Sequence, residues 1–282
     1  MSMNNTLAEI ADLVRETNPL VHCITNYVTV NDCANALLAV GASPVMADDR
    51  AEVAEITSIA QALLLNIGTL NRRTIASMKR AAKTANTNGI PVILDPVGAG
   101  ASKLRTRTAQ SLVRLARPAL IRGNASEIAA LHAGSGNTRG VDAAEADQGE
   151  DAFSRTLATA KALAVQSGAV VAVTGSTDII TDGKRVLTIR NGHPILSRIT
   201  GSGCMLSCLC AAFCAADPKR ILEASAAAVA AMGHCGERAA AGTGFAGTAV
   251  TGTATFRTAL IDRLSRITGS ELAQGVLCEE SA

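Results

Sequence analysis

Pro91-Val92-Ile93-Leu94-Asp95 followed by Pro96-Val97-Gly98-Ala99-Gly100 is an apolar run that stops on a carboxylate and then turns through two glycines. It is apolar at successive positions rather than at every second one, which suits a strand covered on both faces. Val170-Val171-Ala172-Val173 repeats the pattern. Working outward, the same reading gives candidate strands at Leu20–Ile24, Pro44–Met46, Ala62–Asn66, Ala119–Arg122, Ala169–Thr174 and Asp178–Thr181, and a further pair of Arg185–Ile189 with Pro194–Ser197. Helical periodicity fills the intervals at Val30–Val40, Glu52–Ile59, Arg72–Asn88, Ser102–Leu115, Ser126–Leu131 and Ala152–Ser167, with three long helices after Gly203. Repeated strand–helix alternation predicts an α/β fold with a mostly parallel central sheet, right-handed crossovers and helices on both faces. Thr181–Gly192 turns around Asp182-Gly183 and predicts a local antiparallel excursion.

Length and composition narrow the function. The chain has 282 residues and a formal net charge of +2, which excludes a strongly basic nucleic-acid binder and an acidic disordered tail. Aromatics are 2%, with no Trp and one Tyr, so stacking platforms for single-stranded nucleic acid have few residues to use. Charged residues are 18%, against roughly 25% in an average soluble protein. Surface buried in an oligomer and a large apolar core both account for that deficit. The polar stretch 134–150 (GSGNTRGVDAAEADQGE) reads as an exposed loop, so residues 1–282 are taken as a single domain.

Met1–Glu16 is polar and helical in pattern, without a basic-then-apolar leader. The most apolar stretch, Cys204–Ala216, is interrupted by Ser207 and too short to span a bilayer. A cytoplasmic protein without membrane or nucleic-acid partners is expected. Four of the eight cysteines fall within Cys204–Cys214. On a helix Cys204 and Cys208 share one face while Cys210 and Cys214 lie well around from it, so the four do not converge on one metal ion. Cys208, Cys210 and Cys214 read as small buried hydrophobes. The four histidines, at 22, 132, 193 and 234, show no metal spacing and no triad setting, and read as structural or surface residues.

In open α/β sheets ligands collect at the C-terminal strand edges. The residues following the strands there are small and polar. Thr200-Gly201-Ser202-Gly203-Cys204 opens a long apolar helix. Its glycines and the helix dipole make an anion hole for a transferring phosphoryl group; a plain helix cap on Ser202 or Thr200 fits the segment equally. Cys204 falls in the first turn, where the dipole is expected to lower its pKa; a small buried residue fits the position equally. Asp95 at a strand end is either a water-mediated Mg²⁺ ligand or a turn residue before proline. Asn124 and Glu127 are either groups facing the same strand edge or a capping box. There is no GxxxxGK[ST] motif, which excludes a P-loop enzyme.

Taken together, CITNYV, SPVMA, LNIGTL, ILDPVGAG, RGNASE, AVTG with D-x-I-x-D-G, and TGSGC are far more specific than any one of them. With them the chain resembles the hydroxyethylthiazole kinase family of the ribokinase-like superfamily over nearly its whole length. The resemblance implies a three-layer α/β/α ribokinase-like fold and ATP-dependent phosphorylation of the hydroxyl of 4-methyl-5-(2-hydroxyethyl)thiazole in thiamine biosynthesis or salvage. It implies that Gly201, Ser202, Gly203 and Cys204 form the anion hole, with Cys204 as the catalytic residue where most ribokinase-like enzymes have Asp. Asn26, Met46, Gly68 and Gly201 match substrate-lining positions. Arg122 and Thr174 match nucleotide-phosphate contacts, and Asp95 and Glu127 match acidic positions associated with Mg²⁺. A homotrimer with substrate sites between subunits is implied as well. The chain departs from the family in the longer 134–150 loop, and in reading Gly242-Thr243-Gly244-Phe245-Ala246-Gly247-Thr248 where a GPGSF-like turn is usual. The nearest alternative is a kinase for another small alcohol, such as a hydroxymethylpyrimidine.

Overall fold

A computed structural model describes residues 2–133, 150–242 and 250–281. One nine-stranded sheet runs through them in the order β2-β1-β3-β4-β5-β6-β7-β8-β9. The strands are β1 (Leu20–Ile24), β2 (Ser43–Val45), β3 (Ala62–Asn66), β4 (Val92–Asp95), β5 (Leu120–Asn124), β6 (Val170–Thr174), β7 (Asp178–Thr181), β8 (Val186–Ile189) and β9 (Cys278–Ser281). All pairings from β2 to β6 are parallel, and those from β6 to β9 are antiparallel.

The helices are α1 (Met3–Thr17), α2 (Val30–Ala39), α3 (Val53–Ile59), α4 (Arg72–Asn88), α5 (Lys103–Ala116), α6 (Ala125–Ala133), α7 (Glu150–Ser167), α8 (Ser202–Ala216), α9 (Ile221–Ala240), α10 (Thr253–Arg266) and α11 (Gly269–Gly275). Strand residues point to alternate faces, and the core divides accordingly. Ala62, Leu64, Ile93, Leu120 and Ala172 join the layer built from α1, α2 and α8 to α11. Leu63, Leu65, Leu94, Ile121 and Val171 join the layer built from α3 to α7. The expected three layers are therefore present. The deficit of charge matches a large core: α8 and α9 are apolar around most of their circumference, and Cys208, Cys210 and Cys214 are fully buried within it.

The predicted pairing of Arg185–Ile189 with Pro194–Ser197 is incorrect. β8 pairs instead with β9, and Pro194–Arg198 forms a 3-10 turn. Pro194 has no N–H to offer a ladder, and the His193 ring accepts the Ile195 N–H to start the turn. Glu150 opens α7, but the rest of the loop expected at 134–150 lies outside the described residues, as does the 243–248 part of the glycine-rich segment. Among the described residues no helix is long and apolar enough to cross a membrane.

Candidate active site

The chain order 2-1-3-4-5 places a topological switch point between β1 and β3, where the crevice of a doubly wound sheet lies. Asn26 follows β1, and Asn66 closes β3. By strand alternation Asn66 and its register neighbour Asp95 face the same side as Leu64 and Ile93, the side on which α8 packs. There α8 presents Cys204 and Ser207, three apart and so on one helix face.

The side chains meet in a closed network. Asn26 and Asn66 each donate an amide N–H to Cys204 Sγ at 3.2 Å. Asn66 Nδ2 also donates to Asp95 Oδ2 at 2.8 Å, as does the Ser207 hydroxyl at 2.8 Å. Asn66 Oδ1 accepts from Asn26 Nδ2 at 3.1 Å and from the Gly68 N–H at 2.9 Å. The Thr29 hydroxyl donates to Asn26 Oδ1 at 3.1 Å. A methyl group at Gly68 would lie 2.9 Å from Asn26, and one at Gly201 would collide with Thr29. Asn26, Gly68, Gly201 and Cys204 thus share one corner. Met46 lies one residue past β2 and packs against the layer containing α8.

A second cluster sits two strands away. Arg122 on β5 donates from Nη2 to the Thr174 hydroxyl at 2.6 Å, and its guanidinium lies where a Gly203 side chain would be, 2.7 Å from the Cβ position. Glycine at 203 lets the arginine reach the start of α8. The N-cap of α8 is Gly201, at φ +83, and no side chain caps it. Neither Ser202 nor Thr200 serves as the cap, so the first-turn N–H groups of this helix are not consumed by a capping side chain. Asp178 also belongs to this region. The Gly175 N–H donates to it, burial pushes its carboxyl up to about 7, and the Arg122 charge opposes that rise.

Asp95 is fully buried, and burial pushes its carboxyl up to about 7; the Arg122 charge pulls down and the Glu127 charge adds to the rise. Its Oδ1 has no hydrogen-bond partner, and neither has Arg122 Nε. Glu127 and Asn124 form the capping box that the spacing allowed. Asn124 Oδ1 accepts the Glu127 N–H at 2.8 Å, and Glu127 Oε2 accepts the Asn124 N–H at 2.9 Å. Glu127 Oε1 accepts the Gly98 N–H at 2.8 Å, tying the PVGAG turn to α6. Among the described residues no group of three metal-ligating side chains gathers.

The expected lowering of the Cys204 pKa is corrected. Burial, followed by the Asp95 charge, pushes the thiol up from its ordinary value, and these outweigh the hydrogen bonds it receives. Sequence reasoning missed Asn66, Ser207 and Arg105. Asn66 carries a signal in retrospect, as the polar close of the apolar run ALLLN. Ser207 interrupts an apolar helix three residues after Cys204. Arg105 has no such signal: it donates to the carbonyls of Ile67, Val97 and Gly68 and locks two site turns together.

The chain has the ribokinase-like fold, and a ribokinase-like superfamily protein of Enterococcus faecalis superposes with a TM-score of 0.60 at 14% identity, covering 92% of this chain and 95% of that one. Within that fold the chain belongs to the hydroxyethylthiazole kinase family, whose model matches residues 11–270. The hydroxyethylthiazole kinase of Ruminiclostridium cellulolyticum is 52% identical over 255 residues, 90% of each protein. The solved structure of the Pyrococcus horikoshii hydroxyethylthiazole kinase has a TM-score of 0.85 at 35% identity and covers 98% of this chain and 99% of its own.

Proposed function

We propose that this protein transfers the γ-phosphoryl group of ATP to the hydroxyl of 4-methyl-5-(2-hydroxyethyl)thiazole, as a kinase of the thiamine pathway. The observation that carries the reading is Cys204, held by two amides at the switch point in the first turn of a helix with no capping side chain. Family membership supplies the substrate class.

The alcohol oxygen attacks the γ-phosphorus, a new P–O bond forms, and the bond to the bridging oxygen breaks to release ADP. Protein contributes mainly position and charge to such transfers. Gly201 to Cys204 supply backbone N–H groups and the positive helix end for the transferring phosphoryl oxygens. Arg122, anchored on Thr174, faces the polyphosphate. Cys204 is raised toward the thiol form, and its sulfur already accepts two N–H groups. Its S–H is left to hold the alcohol oxygen in line, an orienting role rather than that of a strong base.

Magnesium binds through few carboxylates and keeps several waters, which suits Asp95 with its unpaired Oδ1 and the nearby charge of Glu127. When bound with the nucleotide it neutralises phosphate charge. The homotrimer belongs to this reading also. Tyr27, 78% exposed, and Val28 follow Asn26 directly, and Leu38 on α2 is exposed as well, so apolar side chains are presented beside the substrate corner.

A coupled ADP-release assay with Mg·ATP tests the reading, comparing the thiazole alcohol, hydroxymethylpyrimidine and no acceptor. Release that depends on the thiazole alcohol is expected. Release with the pyrimidine alone overturns the substrate, and no release with any acceptor overturns the kinase.

A further inference from the structure

Asn66 is 1% exposed, so it does not reach a ligand directly, yet its side chain bonds to Asn26, Gly68, Asp95 and Cys204 at once. Its amide orientation is determined by its partners. Oδ1 must be the atom facing Gly68, because a backbone N–H can only donate to it, and Nδ2 must be the atom facing Asp95, whose Oδ2 accepts. One Nδ2 hydrogen goes to the carboxylate, and the second lies toward Cys204 Sγ at 3.2 Å. The orientation of Asn26 follows from it: Asn66 Oδ1 needs a donor, so Asn26 turns its Nδ2 inward and its Oδ1 toward Thr29. A buried carboxylate thus fixes one amide, that amide fixes a second, and both point hydrogens at the same sulfur. With the two amides on sulfur and the Thr29 hydroxyl also within hydrogen-bonding reach, the direction of its S–H is set.

We infer that Asn66 is a positioning residue for the phosphoryl transfer, holding Cys204 Sγ and Asn26 in the orientation that the alcohol requires. The inference rests on the kinase reading above. It follows the logic of a reacting side chain oriented by a second group that is itself oriented by a buried carboxylate.

The test is steady-state kinetics of Asn66→Ala and Asn66→Asp, each made in the parent protein and in a Cys204→Ala background, with melting temperatures measured throughout. Asn66→Asp keeps the shape and the acceptor for Gly68 but removes the donors to sulfur; facing Asp95 Oδ2, which the amide meets at 2.8 Å, the new acid keeps that contact by sharing a proton with Asp95, so it covers the case in which the alanine variant does not fold. In the parent, kcat is expected to fall about tenfold or more, since misplacing a reacting group by about 1 Å costs on the order of a hundredfold. KM for both substrates should stay within about twofold, the signature of lost orientation rather than lost binding. In the Cys204→Ala background the further loss should be under about twofold, because the two changes then remove one shared interaction. An equal fold-loss in both backgrounds, an unchanged kcat, or a rise confined to KM would each overturn the inference. So would failure of both variants to fold, which would assign Asn66 to the fold. Absence of thiazole-dependent turnover in the parent would overturn the kinase reading itself, a result separate from any behaviour of the variants.

Discussion

Asn66 and Asp95 are register neighbours on two parallel strands, and the amide of the first donates to the carboxylate of the second at 2.8 Å. The contact is a direct product of sheet geometry. Parallel pairing sets the last residues of β3 and β4 side by side, and strand alternation turns both toward α8. The helix then adds Ser207 to the same carboxylate oxygen and Cys204 to the same amide. Three elements from distant parts of the sequence therefore share one buried polar cluster, and changes at any member are expected to be coupled.

Asp95 has a pH signature. Its carboxyl, ordinarily at 3.8, is pushed to about 7 by burial. Between those values the folded form holds a proton that the unfolded chain has shed. The group's contribution to folding is complete below about pH 4 and is lost as pH rises through about 7. Asp178, also raised to about 7, acts in the same direction. In metal-free buffer the melting temperature of Asp95→Asn minus that of the parent should be larger at about pH 8 than at about pH 5. A gap that shrinks with rising pH would show that Asp95 is not held protonated by burial.

Cys204→Ser should lose rate while keeping most of its substrate binding, since the hydroxyl preserves an acceptor for Asn26 and Asn66 but is shorter. Cys204→Asp should remain active, because a carboxylate accepts both amide hydrogens and can hold the alcohol. Steady-state kinetics with the thiazole alcohol separate kcat from KM. A correctly folded but inactive Cys204→Asp would count against an orienting role.

Glu127 has two roles that can be measured apart. Glu127→Ala removes the capping-box partner and the acceptor for Gly98, and a lost cap costs about 1 kcal/mol. Its melting temperature should fall, and the Mg²⁺ concentration for half-maximal activity should rise. Glu127→Gln keeps an acceptor oxygen and loses the charge, so it should recover much of the stability and little of the Mg²⁺ response. An unchanged Mg²⁺ titration in both variants would remove Glu127 from metal binding.

Gly201→Ala faces two obstacles, a left-handed backbone at φ +83 and the Thr29 side chain. The backbone alone costs roughly 1–2 kcal/mol. A large drop in kcat/KM is expected. Adding Thr29→Ser, which removes the nearest methyl but keeps the hydroxyl that donates to Asn26, should return part of it. No recovery in the double variant would place the defect in the backbone alone.

The parallel half of the fold was legible where a strand is a short apolar run that ends on a polar residue. ALLLN and VILD show this, and Leu20–Ile24 and Ala62–Asn66 fall where the sequence puts them. β9 was not legible. Cys278-Glu279-Glu280-Ser281 has no apolar pattern, since it lies at the sheet edge and is tied by ion pairs from Arg185 to Glu280 and from Arg190 to Glu279. At the site, the glycines and Cys204 were readable from TGSGC, whereas Asn66, Ser207 and Arg105 depend on register and packing that no local segment encodes. The Cys204 pKa was misjudged for the same reason: the helix dipole is visible in sequence, but the depth of burial is not.

The Gly269 N–H that opens α11 is held by Asp12 on α1, 257 positions earlier, and Arg15 of α1 reaches the Leu264 and Ile267 carbonyls. Translation proceeds at about 5–20 residues per second. The apolar face of α1, with Leu7, Ile10 and Val14, therefore emerges from the ribosome roughly ten seconds to a minute before its covering helix is made. Over that interval the apolar face of α1 has no α11 to cover it, so the first helix of the chain is among the last to reach its native packing.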